Sequence, residues 1–483
     1  MLVHHVEGVC TYTYDQDLYI NTSNIRSNSL LDLCCQYVVQ HASLTLQALD
    51  YLPSHLYRTL TGFAVVGHRD RALNFLLPNW PDQKMSVFDL VHDHYTSFST
   101  VVPCTWAEEK YYLPNFIITT FVHKLLHCLE RELPLTLQLL DLSGFNIDDP
   151  KLLKLCEYVI GNQNFTPRKN IQSVAIRLNA VLTRADTFKK LGEALAKCMN
   201  CRLKIQINRL DIRSMPYIVI KRLLELLSGR EYIHEITLRY NHLMVRGVVA
   251  LSPFLRIMTR LTHLDLSCNN IRLQDHFNFG TQILGELFAQ LSCLKELNMS
   301  NNWIKGNLHL LLSRISQPLE SLCISGCSIS IGDLNYLSKC IHTTGLIHLD
   351  LSENNLSDKL QPMLEFLSAA RKNLKHFEVQ NSRLSSHHME DLGRMVCQME
   401  KLEYLNLCST VICESDMFKL LRTICNAANL KHICFTSHIE MGLSIDSTGF
   451  IAGDIPKQIH TILLQNRRNT GLKVYFKITP DTY

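Results

Sequence analysis

No stretch of 18 uncharged apolar residues occurs in the chain, and its first twenty residues, MLVHHVEGVCTYTYDQDLYI, have no basic start running into an apolar core. Neither a membrane span nor secretion is therefore expected. Charge of one sign is also lacking: Lys+Arg 48 against Asp+Glu 44 leaves +4 over 483 residues, with no long basic run. A phosphate backbone would have little to hold, so nucleic acid is not expected as a main partner. The chain contains no G-x-x-x-x-G-K-S/T, no G-x-G-x-x-G after a strand and no H-E-x-x-H. The single C-x-x-C, Cys198 to Cys201, has no second pair, and neither His92 to Tyr95 (HDHY) nor His387 with His388 has a placed acid or nucleophile beside it. An enzyme, a metal site and a small-molecule cofactor are accordingly not expected.

Cysteine, by contrast, is plentiful. The eighteen cysteines are scattered, many at positions suited to a small buried side chain, and read as free thiols of a reducing compartment. The cytoplasm is the expected location, with the nucleus open to the protein as well. The sequons at Asn21, Asn164, Asn298 and Asn355 would then carry no glycan.

From about residue 137 the sequence restates itself. LTHLDLSCNNI (Leu261 to Ile271), LKELNMSNNWI (Leu294 to Ile304), LESLCISGCSI (Leu319 to Ile329) and LIHLDLSENNL (Leu346 to Leu356) all read L-x-x-L-x-L-x-x-N/C-x-L, the leucine-rich repeat. Looser copies open at Leu137, Ile171, Asn200 and Ile233, and further ones at Leu374, Leu402 and Leu430, making eleven. Starts from Leu319 onward are 27 or 28 residues apart. That length leaves room for a full helix after each strand, and segments such as Asp333 to Ile341, Asp358 to Leu367 and Glu414 to Cys425 carry apolar residues at helical spacing. The fold class expected is α/β, a leucine-rich-repeat horseshoe solenoid with parallel strands on the concave side, helices on the convex side and a helical cap region before it. Positions 4 and 6 of the motif point into the core and positions 3, 5 and 7 away from it. The position-9 asparagines, Asn241, Asn269, Asn302 and Asn354, are expected to bond backbone in the turn after each strand, with Cys327, Ser382 and Thr410 in their place elsewhere. The organisation read from this is an extension at 1–28, a helical region at 29–135, repeats at 136–440 and a cap at 441–483, where LKVYFKI (Leu472 to Ile478) reads as a last strand closing the sheet edge.

Ahead of the repeats stand helical patterns: SLLDLCCQYV (Ser29 to Val38), Leu52 to Leu60, Arg71 to Pro81, and Asn115 to Glu132, the last feeding the first repeat as its capping helix. Asp82 to Leu113 reads as a loop. In the first of these, Leu30, Leu33, Cys34, Tyr37 and Val38 form the stripe an amphipathic helix buries, against either this chain's core or a partner.

The L-P-x-x-L-Y of Leu52 to Tyr57, the W-P of Trp80 and Pro81, the long repeats and the stretch Gly306 to Ser338 together resemble the PRAME-like family, over most of the chain from about Ser29. The final fifty residues fit less well, and nothing is carried over there. The resemblance implies a substrate receptor of a cullin-2 ubiquitin ligase, engaging elongin B/C through a BC box, small-L-x-x-x-C/A-x-x-x-aliphatic. Ser29, Leu30, Cys34 and Val38 fit that pattern, with Leu33 on the same helix face; Ser43 to Leu52 fits it too but runs into the next motif. A cullin box follows in such proteins, and Leu52, Pro53, Leu56 and Leu60 match it. The competing reading for the first helix is a cap packed on the repeats.

The substrate, a protein, is expected on the concave face. There position 3 supplies Glu235, His263, Glu296, His348, His376, Tyr404 and His432, and position 5 supplies Asp265, Asp350 and Glu378. A face rich in acids would favour a basic segment, and histidines protonating near their usual value of about 6.5 would cancel its field on acidification. The rival function is a non-ligase scaffold that represses a signalling or transcription factor by stoichiometric binding.

Overall fold

The computed structural model describes residues 3–6, 9–12, 29–67, 69–92, 115–162, 165, 171–230, 232–273, 279–409, 413–437, 444–445, 451–452, 458–459, 461–462 and 472–478. It divides into two compact units, residues 20–237 and residues 238–483 joined by 1–19. The chain opens with two antiparallel strands, β1 (Val3–Val6) and β2 (Val9–Tyr12), which belong to the second unit.

The first unit begins with four helices, α1 (Leu30–Gln40), α2 (Ala42–Leu49), α3 (Ser54–Val66) and α4 (Asp70–Leu76). A short strand β3 (Lys84–Ser86) and helix α5 (Val87–His92) follow, in a segment whose sequence reads as loop. Met85, Val87, Leu90 and Val91 are buried there, and β3 pairs in parallel with the first repeat strand, so tertiary contacts override a composition rich in turn formers. The rest of that expected loop, 93–113, lies outside the described residues. After α6 (Asn115–Glu130) the repeats alternate: β4 (Leu139–Ile147), α7 (Asp149–Gly161), β5 (Val174–Leu182), α8 (Ala185–Lys197), β6 (Leu203–Ile212), α9 (Tyr217–Leu227) and β7 (Glu235–Thr237). Met85, Leu140, Ile176 and Ile205 stand in register across four parallel strands. The capping helix is tied on by Arg202, whose buried guanidinium donates to the carbonyls of Leu129, in the last turn of α6, and Leu133, just after it.

The second unit runs α10 (Met244–Leu255), β8 (His263–Asp265), α11 (Phe279–Gln290), β9 (Glu296–Asn298), α12 (Leu308–Leu312), β10 (Ser321–Cys323), α13 (Ile331–Leu337), β11 (His348–Asp350), α14 (Leu360–Ala370), β12 (His376–Glu378), α15 (Met389–Gln398), β13 (Tyr404–Asn406), α16 (Glu414–Ile424) and β14 (His432–Ser437). A small pair, β15 (Ser444–Ile445) and β16 (Ile451–Ala452), precedes β17 (Lys473–Ile478). Strands β8 to β14 are parallel neighbours in chain order, and β17 joins β14 in parallel. The expected last strand exists, but it does not end the sheet: its outer edge is taken by β2, antiparallel, so the two ends of the chain meet.

The side-chain pattern follows the motif. Position 4 (Leu264, Leu297, Leu322, Leu349, Phe377, Leu405, Ile433) and position 6 (Leu266, Met299, Ile324, Leu351, Val379, Leu407, Phe435) are all buried beneath the helices. Each such side chain contributes about 1.5–3 kcal/mol, which a single repeat could not secure alone. The asparagine ladder forms as expected at the described positions, Thr410 lying outside the described residues. Asn302 accepts from the amides of Asn269 and Ile271 and donates to the carbonyls of Leu266 (2.9 Å) and Met299 (2.9 Å), linking one repeat to the last. Asn269 and Asn354 repeat the arrangement, while Cys327 and Ser382 donate to the equivalent carbonyls. The tight turn beside each rung holds residues with left-handed backbone, among them Cys268, Asn301 and Glu353; Gly326, at φ +62, lies where a Cβ would collide with the Asn301 carboxamide.

Candidate functional site

Helix α1 starts on a capping box. Ser29 Oγ accepts from the Asp32 amide (3.2 Å) and Asp32 Oδ2 accepts from the Ser29 amide (3.0 Å), which fixes the first turn. The helix then packs on α2 and α3, burying Cys35 and Val39. The stripe picked out by period lies on the opposite side: Leu30 is 79% exposed, Leu33 51% and Tyr37 59%, with Leu31 and Cys34 also exposed and Val38 half-buried. Of the two readings of this stripe, burial in this chain's own core or against a partner, the first does not hold. Helix α1 is apolar nearly all round, and spacing alone does not tell which face the fold uses.

The angle at which this face is displayed is set at the α1–α2 corner. Thr45, fully buried, donates from Oγ1 to the carbonyl of Val38 (2.9 Å) and of His41 (3.2 Å), and the His41 ring lies 4.8 Å from that of Tyr37. Leu46 and Tyr51 add exposed apolar surface on and just after α2. Pro53 caps α3 and is exposed, and Leu52 and Leu56 are half-buried. Leu60 is 2% exposed and belongs to the core, so its side chain is no contact surface as the chain stands.

The strand face of the second unit is built differently from a solvated column. At position 3, His263 Nδ1 lies 3.0 Å from Glu296 Oε2, both part-exposed. Further along, Ser321 Oγ is 2.8 Å from His348 Nδ1, His348 Nε2 is 3.2 Å from Glu378 Oε1, and the Asn406 amide donates to Glu378 Oε2 at 3.1 Å. Those four side chains, from four successive strands, are all buried. Ser321 and Asn406 were legible as face positions but not as partners of the histidine and glutamate. His376 lies edge-to-face with His348 (6.4 Å between rings) and tilted against Tyr404 (5.9 Å), Cys434 Sγ donates to the Tyr404 hydroxyl, and His432 is half-buried. Glu235 lies in the other unit and pairs with Arg209 at 3.6 Å.

Position 5 has a structural duty. Asp265, Asn298, Asp350 and Asn406 each accept, through Oδ1, from the amide two residues on, at 2.8–3.0 Å. Asp350 stands directly across from Glu378 in the strand register. Burial first, and then the Glu378 carboxylate, push Asp350 up to about 6. Burial and the neighbouring His348 hold His376 down to about 4, so the expectation that it titrates near the usual histidine value does not hold. Among the described residues no group of three or more His, Cys, Asp or Glu is placed to hold a metal, the cysteines are free thiols, and no helix is long and apolar enough to cross a membrane.

Strand, asparagine rung and helix, repeated with leucines at positions 4 and 6, define a leucine-rich-repeat protein. Known proteins carry the assignment further. The PRAME N-terminal domain matches residues 27–100 and the PRAME C-terminal domain residues 183–480, which reaches into the final fifty residues as well. The chain belongs to the PRAME family. It is 26% identical over 455 residues to leucine-rich repeat-containing protein 14 of Xenopus laevis (85% of this chain, 88% of the relative) and 24% identical over 432 residues to the protein of that name in Homo sapiens (84% and 86%). Among solved structures it is similar to the leucine-rich repeat-containing protein LegL7 from Legionella pneumophila, at 15% identity and a TM-score of 0.38, over 65% of this chain and 97% of the other.

Proposed function

We propose that the protein is the substrate receptor of an elongin B/C–cullin-2 ubiquitin ligase, active in the cytoplasm and nucleus. The observation that carries this is the outward face of α1. Leu30, Leu33, Cys34 and Tyr37 stand in water on a helix whose opposite side is already packed, and an apolar helix face of this kind is what helix-in-groove recognition uses. In this reading Leu30 and Cys34 enter apolar pockets of elongin C, Ser29 lets the two backbones approach while capping the helix, and Val38 packs at the rim. Leu52, Pro53 and Leu56 select cullin-2. The strand face, including His263, Glu296, His348, Asp350, His376, Glu378 and Tyr404, holds the protein substrate. The receptor does no chemistry itself: it keeps a substrate lysine near a ubiquitin-charged enzyme that other subunits bring.

The test is co-purification of the full chain with elongins and cullin-2. Truncating two buried anchors costs about 2 kcal/mol or more each, so Leu30→Ser with Cys34→Ser should abolish elongin C recovery and leave the melting temperature unchanged. Alanine at Leu52, Pro53 and Leu56 should lose cullin-2 and retain elongin C. Undiminished elongin C binding by the first variant would sink the assignment. Absence of both partners from the wild-type chain would favour the rival, a scaffold that represses its target by occupying it.

A further inference from the structure

Motif positions 8, 10 and 12 lie just outside the asparagine ladder, in the turn that leads from each strand to its helix. In the repeats of β10 and β11 they are Gly326, Ser328, Ser330, Glu353, Asn355 and Ser357, so the turn itself asks for no apolar side chain. The three repeats before them differ. There Tyr240, Met244 and Trp303 occupy these positions, all exposed, and Phe279, exposed as well, opens α11. They share one rim. The Met244 amide donates to the Asn269 carbonyl (2.9 Å), Arg272 and Trp303 form a parallel bridge, and Gly280, next to Phe279, sits where a Cβ would collide with Val245. Tyr240 and Met244 also hold left-handed backbone, at φ +60 and +51, which glycine or asparagine adopts with less strain. Aromatic residues and Met, set in water where polar residues fill the same turn elsewhere, are the side chains enriched at protein contacts.

Charge on the same rim selects the occupant. Position 12 supplies Arg272 and Lys305, Arg246 stands in the first turn of α10, and all three are exposed. No Asp or Glu occurs at positions 8, 10 or 12 of these three repeats. Arg272 donates from Nε to the Asn270 side chain (3.2 Å), and neither it nor Arg246 is paired with an acid among the described residues. Helices α10 and α11 start here without an acid in the first turn, so their N-terminal dipole charge adds to the cations. We infer that this rim docks an acidic protein segment carrying bulky apolar side chains, which pack on Met244 and Trp303 while its carboxylates pair with Arg246, Arg272 and Lys305. Met244 and Trp303 are two repeats apart, roughly 10 Å at ~4.8 Å per strand, which an extended segment spans in about three residues at ~3.3 Å each. A polynucleotide fits less well, because the strands of these repeats carry Asp265 and Glu296, which repel a phosphate backbone. The residues are distinct from those assigned to elongin, cullin and substrate, so the inference stands whether or not the ligase reading does.

The experiment titrates the full chain by fluorescence polarisation with four labelled probes at low and high salt. One twelve-residue peptide has leucine at every third position and glutamate between; a second replaces glutamate by lysine, a third replaces leucine by serine, and the fourth probe is a twelve-nucleotide oligothymidine. The glutamate-leucine peptide should bind best and weaken as salt rises. Met244→Ser with Trp303→Ser should weaken it by about tenfold or more, as loss of interface anchors does. Arg246→Ser with Arg272→Ser should weaken it and flatten the salt dependence, a second reading should the first variant misfold. All four side chains are exposed, so the melting temperature should not fall. Ile341→Ser, at another exposed apolar residue of the same unit, should leave binding unchanged, as should Leu30→Ser with Cys34→Ser. Equal binding of the lysine or the serine peptide, tightest binding of oligothymidine, or an equal loss from Ile341→Ser would overturn the inference. So would sedimentation showing that the chain pairs with itself and that Trp303→Ser separates the copies, because the rim would then be filled by a second chain.

Discussion

Asp350 offers a sharp test because its charge opposes the fold. In the native chain its carboxyl is raised from 3.8 to about 6, first by burial and then by Glu378 across the register. A carboxyl raised in the folded state binds its proton more tightly there than in the unfolded chain. It therefore destabilises the protein above the folded value, and that penalty disappears as the pH falls below the unfolded one. Two units at ~1.4 kcal/mol each give a ceiling of about 3 kcal/mol at pH 7.5. Asp350→Asn removes the charge and keeps an oxygen for the Ser352 amide, which the side chain accepts at 2.8 Å. The variant should be more stable than wild type by about 1–3 kcal/mol at pH 7.5 and by roughly half as much at pH 5, read as the difference in urea midpoints at each pH. His376 supplies the opposing slope. Its value is depressed to about 4, so its stabilising neutrality is present above 6.5 and is lost as the pH falls toward 4. In wild type the two groups nearly cancel between pH 6 and 4; in Asp350→Asn the histidine acts alone and stability falls on acidification. A variant less stable than wild type at pH 7.5, or a difference that does not change with pH, would refute the electrostatic reasoning.

Other expectations follow from the ladder and from α1. Asn302→Ala strands the amides of Asn269 and Ile271 and takes one of two donors from the carbonyls of Leu266 and Met299, which keep Asn269 and Cys327, and should cost about 2–4 kcal/mol in chemical denaturation; a loss under about 0.5 kcal/mol would show the rung to be dispensable. Cys34 is exposed while its neighbour Cys35 is buried, its thiol pushed up by burial and then by Asp32. Brief iodoacetamide treatment of the native chain should label Cys34 and spare Cys35 by mass spectrometry, and prior docking of elongin C should protect Cys34.

Much of this architecture is legible in the sequence because a 28-residue period repeats the same burial problem. Leu264, Leu297, Leu322 and Leu349 announce the core by position alone, and Asn269, Asn302 and Asn354 announce the turn. The strand face was legible only as a set of positions. His348 and Glu378 are buried because side chains from neighbouring strands, about 4.8 Å apart, cover one another, and which pairs interlock depends on registers such as Ser321 with His348 that no single repeat contains. Strand β3 escaped notice since only its pairing with β4 makes Lys84–Ser86 a strand. For α1 the row was legible but open between core and partner: Leu30, Leu33 and Cys34 form one apolar row, Cys35 and Val39 another, and only the packing on α2 and α3 decides which is covered.

The chain carries its own controls for the features read here as functional. Helix α8 buries Phe188, Leu191 and Leu195 and turns Lys189 and Ala196 to solvent, the ordinary division for a helix packed on a repeat sheet. Helix α1 buries two residues and exposes three leucines and a tyrosine, which gains nothing from the fold and exposes apolar area whose burial is worth about 25 cal/mol per Å². The same contrast separates Asp350 from Asn298 and Asn406, two strands to either side: identical backbone duty, with a charge at one position that the other two do without. Where local structure would be satisfied by a cheaper residue, the more costly one is best explained by what it meets outside the chain. That argument predicts an asymmetry. Replacing Leu30 or Asp350 by a polar neutral residue should leave stability unchanged or raised while a binding function is lost, whereas a substitution in the ladder or at Leu60 should lose both together; finding Leu30→Ser and Asp350→Asn as destabilising as Leu60→Ala would mean that these positions serve the fold after all.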